Sequence, residues 1–349
     1  MVDTQLPQWL DEDDQLDCED DDEHQWILGL VDETKAPQTL LRHRFSSKVG
    51  GRPAWLHPVR LPAVEALTSQ PDGRPLVFLL QVYAPVEDSE AAFHRMLYLF
   101  LSPHSDRLAG AGAARALRCQ LPRHNAYYSP DPPSTRLPLP LPEDDMGCLL
   151  TRDPWRAAAA EAALSAGEPA PSTGPGVRVL PELAIRDELE EPEADASEGG
   201  WEAADLSGEN GASAALAPEE AAMESELVDE VEAQVDPGTA AFATFAARVA
   251  RRPQQVLRYC FEDGARPLWP GAECVPSAAD VPPCVHCRAP RRFEFQVLPQ
   301  LLNWLNADES GGDGMDWGAI AVFCCTASCT PPPHAESAYL EEFAWVQPP

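Results

Sequence analysis

Lysine is almost missing from this chain: Lys35 and Lys48 are the only two in 349 residues, and Arg supplies the remaining positive charge. With 25 basic side chains against 57 acidic ones, the net charge is −32. A phosphate backbone is gripped by Lys and Arg, so direct nucleic-acid binding is not expected. A basic protein is the partner such a field suits, because opposite charge speeds encounter and disfavours wrong contacts. The plainer reading is that the acid only keeps low-complexity chain in solution.

Other features are absent too. Met1 to Asp22 has neither the basic start nor the apolar run of a secretory signal, and no stretch is long and apolar enough for a membrane helix. The expectation is a cytoplasmic monomer that can pass to the nucleus, makes no membrane contact and keeps its thiols reduced. In that setting ten cysteines point to metal before disulfides. There is no Gly-x-Gly-x-x-Gly, no Gly-Lys-Ser/Thr and no Gly-x-Ser-x-Gly. The eight histidines are scattered, with His94, His104 and His124 among turns, strands and arginines. No enzyme activity is expected.

What is present divides into four parts. Residues 1–24 are an acidic tail, with a carboxylate block from Asp11 to Glu23 that resists compaction. Residues 25–130 read as a β-rich half. Structure is expected to begin near Trp26. Pro75–Tyr83 and Phe93–Leu101 are near-continuous apolar runs of the kind that form strands buried on both faces. Residues 131–238 form a Pro-rich and acidic insert, expected to be disordered, with short helical patterns at Trp155–Ser165 and Met223–Val235. Residues 239–349 form a second β-rich half, opened by a helical pattern at 239–260 in which Pro253 starts a second helix, and holding a helix at Pro299–Asn306.

The two halves resemble each other. Gly51-Arg52-Pro53-Ala54-Trp55 matches Ala265-Arg266-Pro267-Leu268-Trp269, Phe78-Leu79-Leu80-Gln81-Val82 matches Phe293-Glu294-Phe295-Gln296-Val297, and Leu99-Phe100 matches Val322-Phe323. The predicted fold class is α+β, mostly β: two related halves forming a pseudo-symmetric module, split by the acidic insert. Loop closure cost grows slowly with length, so a long insert is tolerated.

In the second half, Cys284-x-x-Cys287 precedes a strand, and Cys325-x-x-x-Cys329 follows one. Two close thiolate pairs in such places are the layout of a structural Zn2+ site, with four sulfurs filling a tetrahedron and no position open for a catalytic water. A redox Cys-x-x-Cys and unpaired core cysteines are the competing readings. Cys324 should face away from Cys325, and His286 should face solvent. Cys260 and Cys274 read either as a second pair or as plain packing. The first half carries Ser69, Asp72, Ser102 and Asp106 at the corresponding places, so it offers no thiol there.

Ser46-Ser47-Lys48-Val49-Gly50-Gly51-Arg52-Pro53-Ala54-Trp55-Leu56, Gln120-Leu121-Pro122-Arg123-His124-Asn125, Phe293–Asn303, Asp316-Trp317-Gly318 and Glu341-Glu342-Phe343-Ala344-Trp345 together resemble the programmed cell death protein 2 family, which includes the 2-like members and the yeast 20S rRNA accumulation protein. The resemblance implies a dedicated chaperone of a basic small-subunit ribosomal protein (S5 type, S2 in eukaryotes) that supports 40S assembly. It also implies that Cys284, Cys287, Cys325 and Cys329 are family cysteines. Some members carry a MYND zinc finger between the halves, but residues 131–238 hold one cysteine, Cys148, and no histidine. The chain thus reads as a finger-less branch, close to the 2-like and yeast members. The alternative function is a zinc-containing interaction adaptor in transcription or cell-death signalling. Trp55, Trp269 and Trp345 are candidate client contacts, weighed against ordinary core roles, and Asp187 to Glu232 is a candidate electrostatic cover.

Overall fold

The computed structural model describes residues 24–35, 40–69, 75–86, 89–102, 109–130, 179–191, 237–305 and 315–349. The expected helical patterns at 155–165 and 223–235, and the positions Asp72 and Asp106, lie outside them.

The first half supplies β1 (Ile27–Asp32), β2 (Lys48–Val49), β3 (Val77–Tyr83), β4 (His94–Leu101), β5 (Gly110–Ala111) and β6 (Ala114–Leu121). Strand β7 (Leu183–Leu189) precedes the helix α1 (Pro237–Arg251), and β8 (Gln255–Tyr259), β9 (Arg291–Val297), β10 (Ala319–Cys325) and β11 (Tyr339–Gln347) complete the second half. The strands run in the order β10-β9-β8-β1-β7-β2-β3-β4-β6-β11, and β10 pairs with β11, which closes a barrel of ten strands; β5 is appended to β11. Every named pairing is antiparallel.

Leu97, Leu99 and Leu101 of β4 fill the barrel with Phe295, Val297, Ile320 and Val322. The alternate residues Met96, Tyr98 and Phe100 point outward, yet they are buried beneath Trp55, Leu56 and Leu67. Both faces of β4 are therefore apolar, which is why the run reads as continuous rather than alternating. The second half repeats the arrangement, with Phe293 and Phe323 outside the barrel under Trp26 and Trp269. On α1, Ala241, Phe245 and Val249 are buried, and the last two meet Leu298 and Leu268.

The internal repeat has a direct structural counterpart. Gln81 Oε1 accepts the backbone N–H of Ala54 at 2.8 Å, and its Nε2 donates to Ser46 O at 3.0 Å. Gln296 Oε1 accepts the N–H of Leu268 at 2.6 Å, and its Nε2 donates to Leu268 O at 3.0 Å. Each glutamine thus pins the Arg-Pro-x-Trp turn of its own half to a strand.

The halves also exchange strands. β1 pairs with β8 of the second half, whereas β7, from the later part of the chain, pairs with β2 of the first. β1 and β7 join each other in a self-complementary register: in Leu28-Gly29-Leu30-Val31-Asp32-Glu33 and Leu183-Ala184-Ile185-Arg186-Asp187-Glu188, Gly29 faces Asp187 while Asp32 faces Ala184. The second position of each segment meets the fifth of the other, as a twofold axis requires.

Two expectations need correction. Residues 183–189, read as part of a disordered insert, are a barrel strand. Only Ala184 and Ile185 of its side chains are buried, so hydrogen bonding to β1 and β2 holds it more than hydrophobicity does. Pro253 starts no second helix. It follows the end of α1, and Gln255–Tyr259 fills the gap between β1 and β9 as a strand. The expected helix at 299–306 is present as a 3-10 helix, Pro299–Trp304.

Candidate metal centre

The β9–β10 register sets Arg291 beside Cys325, which brings the loop just before β9 next to the end of β10. Both loops are tight. The N–H of Arg288 donates to Cys284 O at 2.9 Å, and that of Ser328 to Cys325 O at 3.0 Å. Arg288 and Ser328 have φ of 65° and 41°, a left-handed conformation that non-glycine residues rarely adopt. Such strain is kept where the surroundings enforce it, often at binding sites.

The four sulfurs lie within 4.8 Å of one another. Cys287 and Cys325 are 3.4 Å apart, Cys284 and Cys329 3.6 Å, and Cys325 and Cys329 3.9 Å. Metal–sulfur bonds of about 2.3 Å in a tetrahedron require sulfurs about 3.8 Å apart, so the cluster has the dimensions to hold a metal ion. Cys284 and Cys325 are buried, Cys329 is half-buried and Cys287 is exposed.

Backbone donors favour the charged form of two of these thiols. Burial opposes ionisation of Cys284, but the N–H groups of Cys287 and His286 and the neighbouring thiols outweigh it, bringing that thiol down to about 7. Burial pushes Cys325 and Cys329 upward, although the N–H groups of Cys329 and Ala327 pull Cys325 the other way. A cation at the centre would reverse the burial effect, because thiolate is the ligating form.

The remaining sequence candidates separate by burial. Cys324 sits inside the barrel, opposite in facing to Cys325, and His286 is exposed. Cys260 is buried beside Trp26 while Cys274 is exposed, and neither belongs to the metal-competent group. Ser69 and Ser102, the first-half counterparts, are both buried. Trp55 is 9% exposed and held among Tyr98, Phe100 and Tyr339, so it is a core residue with little surface to offer a client. Trp269 and Trp345 are half-buried, and Trp345 Nε1 donates to Cys274 O at 2.7 Å.

Composition did not point to the buried charges behind the cluster. Glu342 of β11 is buried, accepts the N–H of Cys325 at 3.1 Å, and pairs with Arg291 at 3.0 Å. Arg291 in turn donates to Pro282 O at 2.9 Å, just ahead of Cys284. The one local signal is a charged side chain flanked by apolar ones, as at Arg118 between Leu117 and Cys119.

Comparison with known proteins agrees with this architecture. Residues 25–135 match the family model described as "Programmed cell death protein 2, N-terminal domain", and residues 239–348 match "Programmed cell death protein 2, C-terminal putative domain". Programmed cell death protein 2 of Mus musculus is 37% identical over 92% of this chain and 95% of its own length. The human programmed cell death protein 2-like is 34% identical over 32% of this chain and 29% of its own. The Schizosaccharomyces pombe protein named "Probable 20S rRNA accumulation protein 4" is 31% identical over 30% of this chain and 28% of its own. The longer likeness is thus to programmed cell death protein 2, rather than to the 2-like and yeast members that the missing finger residues led one to expect. No solved structure matches it. Two domain matches in the expected order, and 37% identity to the mouse protein over nearly the whole of both chains, show that the chain belongs to the programmed cell death protein 2 family.

Proposed function

We propose that this protein is a dedicated chaperone, escorting a basic small-subunit ribosomal protein of the S5 type (eukaryotic S2) toward 40S assembly. In this reading it works in the cytoplasm with passage to the nucleus, and it catalyses no reaction. The observation that carries the reading is the likeness, over 117 residues, to a fission-yeast protein named for accumulation of a ribosomal RNA. The net charge of −32 supports it, since ribosomal proteins are basic and an acidic escort screens their charge. The packed barrel interior supports recognition on the outer surface and rim loops rather than in a central cavity.

The cysteine cluster fits a structural role within this reading. Cys284, Cys287, Cys325 and Cys329 would hold Zn2+ with all four positions filled by sulfur, and the ion would fix two loops that have few apolar contacts of their own.

The test is purification of the tagged full chain from cells, with partners identified by mass spectrometry and metal measured by elemental analysis. The expected result is one dominant small-subunit ribosomal protein near equal stoichiometry, with about one zinc per chain. Ribosomal proteins no more enriched than on a charge-matched acidic control would overturn the escort reading. A set of transcription or signalling proteins in their place would favour the adaptor. Absence of bound metal would remove zinc without touching the escort.

A further inference from the structure

The second knuckle of the cysteine cluster is held by the other half of the molecule. Arg118 of β6 donates from Nη1 to Cys329 O at 2.9 Å, and its Nη2 lies 3.7 Å from Cys329 Sγ. Gln120 of the same strand donates from Nε2 to Ser328 O at 2.7 Å, and its Oε1 accepts from Arg118. Arg118 Nε also donates to Glu342 at 2.6 Å across the β6–β11 pairing, one of the two seams where the halves meet. Glu342 is therefore shared between two arginines. Arg118 braces the Cys325–Cys329 loop, and Arg291 braces the Pro282–Cys284 loop.

The charges are unbalanced. Two guanidinium groups and one carboxylate leave an excess of one positive charge, with side-chain exposures of 0%, 3% and 0% for Arg118, Arg291 and Glu342. A buried charge of this kind is costly unless compensated. A divalent ion held by four thiolates would be a group of net charge two minus, and Arg118 lies directly against one of its sulfurs.

Resting on the reading of the cluster as a divalent-metal site, we infer that Arg118 and Gln120 are positioning residues for that site, so that metal binding in the second half and closure of the β6–β11 seam form one coupled equilibrium. Coupling of this kind is reciprocal: whatever the metal adds to the seam, the closed seam adds to metal affinity. The ion thereby stabilises the joined halves rather than one loop pair alone.

The test has two arms on the full chain. In the first, hydrogen exchange is compared for zinc-loaded and chelator-stripped wild type. Amides of 114–121 and 339–347 are expected to exchange at least about tenfold faster once the metal is removed, with a smaller change in β1 and β7 at the opposite seam. In the second, zinc affinity is measured by competition with a chromophoric chelator. Gln120→Met and Arg118→Met are each expected to bind about 10–100-fold more weakly, the range found for groups supporting metal ligands. Arg258→Met, which breaks the buried pair with Glu190 on another part of the barrel, serves as the control for general destabilisation. Gln120→Met keeps side-chain volume and unpairs no carboxylate, so it remains informative where Arg118→Met does not fold. Unchanged seam exchange on stripping, or affinity in Gln120→Met equal to that of wild type or of the control, overturns the coupling while leaving the metal site standing. Failure of the wild type to bind zinc, cobalt or cadmium overturns both.

Discussion

Arg95 on β4 and Glu294 on β9 face each other inside the barrel with neither side chain exposed, one contributed by each half. Arg95 Nη2 donates to Glu294 at 2.7 Å, Tyr259 adds a hydroxyl to the same carboxylate at 3.1 Å, and Arg95 Nη1 reaches Ala84 O at 3.2 Å. Removing one partner of such a pair leaves a buried charge without compensation. Arg95→Met is therefore expected to cost about 3–5 kcal/mol, whereas replacing both residues by apolar side chains of similar volume should cost far less. Urea unfolding of the single and double variants measures this. A double variant as unstable as the single would mean that the arginine acts through packing, including its position over the Phe261 ring.

The glutamines of the repeat permit a symmetric experiment. Gln81→Leu leaves the N–H of Ala54 without its acceptor, and Gln296→Leu does the same to Leu268. Each should destabilise by about 1–3 kcal/mol, the cost of orphaning a polar group away from water. The two sites share no partner, so their effects should add to within about 0.5 kcal/mol. Strong non-additivity would show that the two turns are coupled through the barrel.

How much of this was legible in the sequence depended on what held each element in place. β3 and β4 could be read because both their faces are buried, so side-chain chemistry alone marks them. The cysteine pairs were legible because ligation demands thiols at short spacing. β7 was hidden because its neighbours supply the backbone hydrogen bonds while Arg186, Asp187 and Glu188 resemble the acidic chain around them. β8 is ambiguous in the sequence because Val256 and Tyr259 suit a helix face as well as a strand, and only the place between β1 and β9 decides. Arg118 and Glu342 were not legible as site residues, since their role arises from a pairing between strands more than 200 residues apart.

Three first-half histidines are expected to make the fold acid-sensitive. Burial lowers His43, His57 and His94 from the ordinary value, with Arg44 and Arg42 adding to the effect at His43 and Arg60 at His57. His57 meets Arg60 donors at both ring nitrogens, the backbone N–H at Nδ1 (3.1 Å) and the side-chain Nε at Nε2 (3.3 Å), an arrangement that disfavours the imidazolium. His94 stacks on Phe45 at 4.2 Å, and its buried Nε2 has no hydrogen-bond partner among the described residues. The folded state thus prefers neutral imidazole. The unfolded chain takes up protons near pH 6.5, so below that value it binds more protons than the folded one and stability falls as pH falls. The urea midpoint should drop between pH 7 and 5.5, and His94→Gln should flatten the drop. A midpoint independent of pH over that range would remove the histidines from the account.

The two acid-rich stretches join the barrel side by side. Ile27 pairs with Leu189, and the N–H of Glu190 donates to Trp26 O at 2.9 Å, so Trp26, shortly after the Asp11–Glu23 block, and Glu190, at the start of the later acidic stretch, sit at adjacent strand ends. A deletion starting at Asp187 would cut into β7 and break the wall. One spanning Glu193 to Glu232 spares it, removes thirteen carboxylates and no base, and takes the net charge from −32 to −19. Under the escort reading, this deletion should slow capture of the basic client at low ionic strength, because long-range attraction mainly sets the association rate. The difference should shrink as the Debye length contracts to about 8 Å near 0.15 M salt. Stopped-flow association with a purified S5-type ribosomal protein, at 0.02 M and 0.15 M salt, reads both effects. Equal rates at 0.02 M would show that the stretch plays no part in capture and that recognition rests on the folded barrel alone.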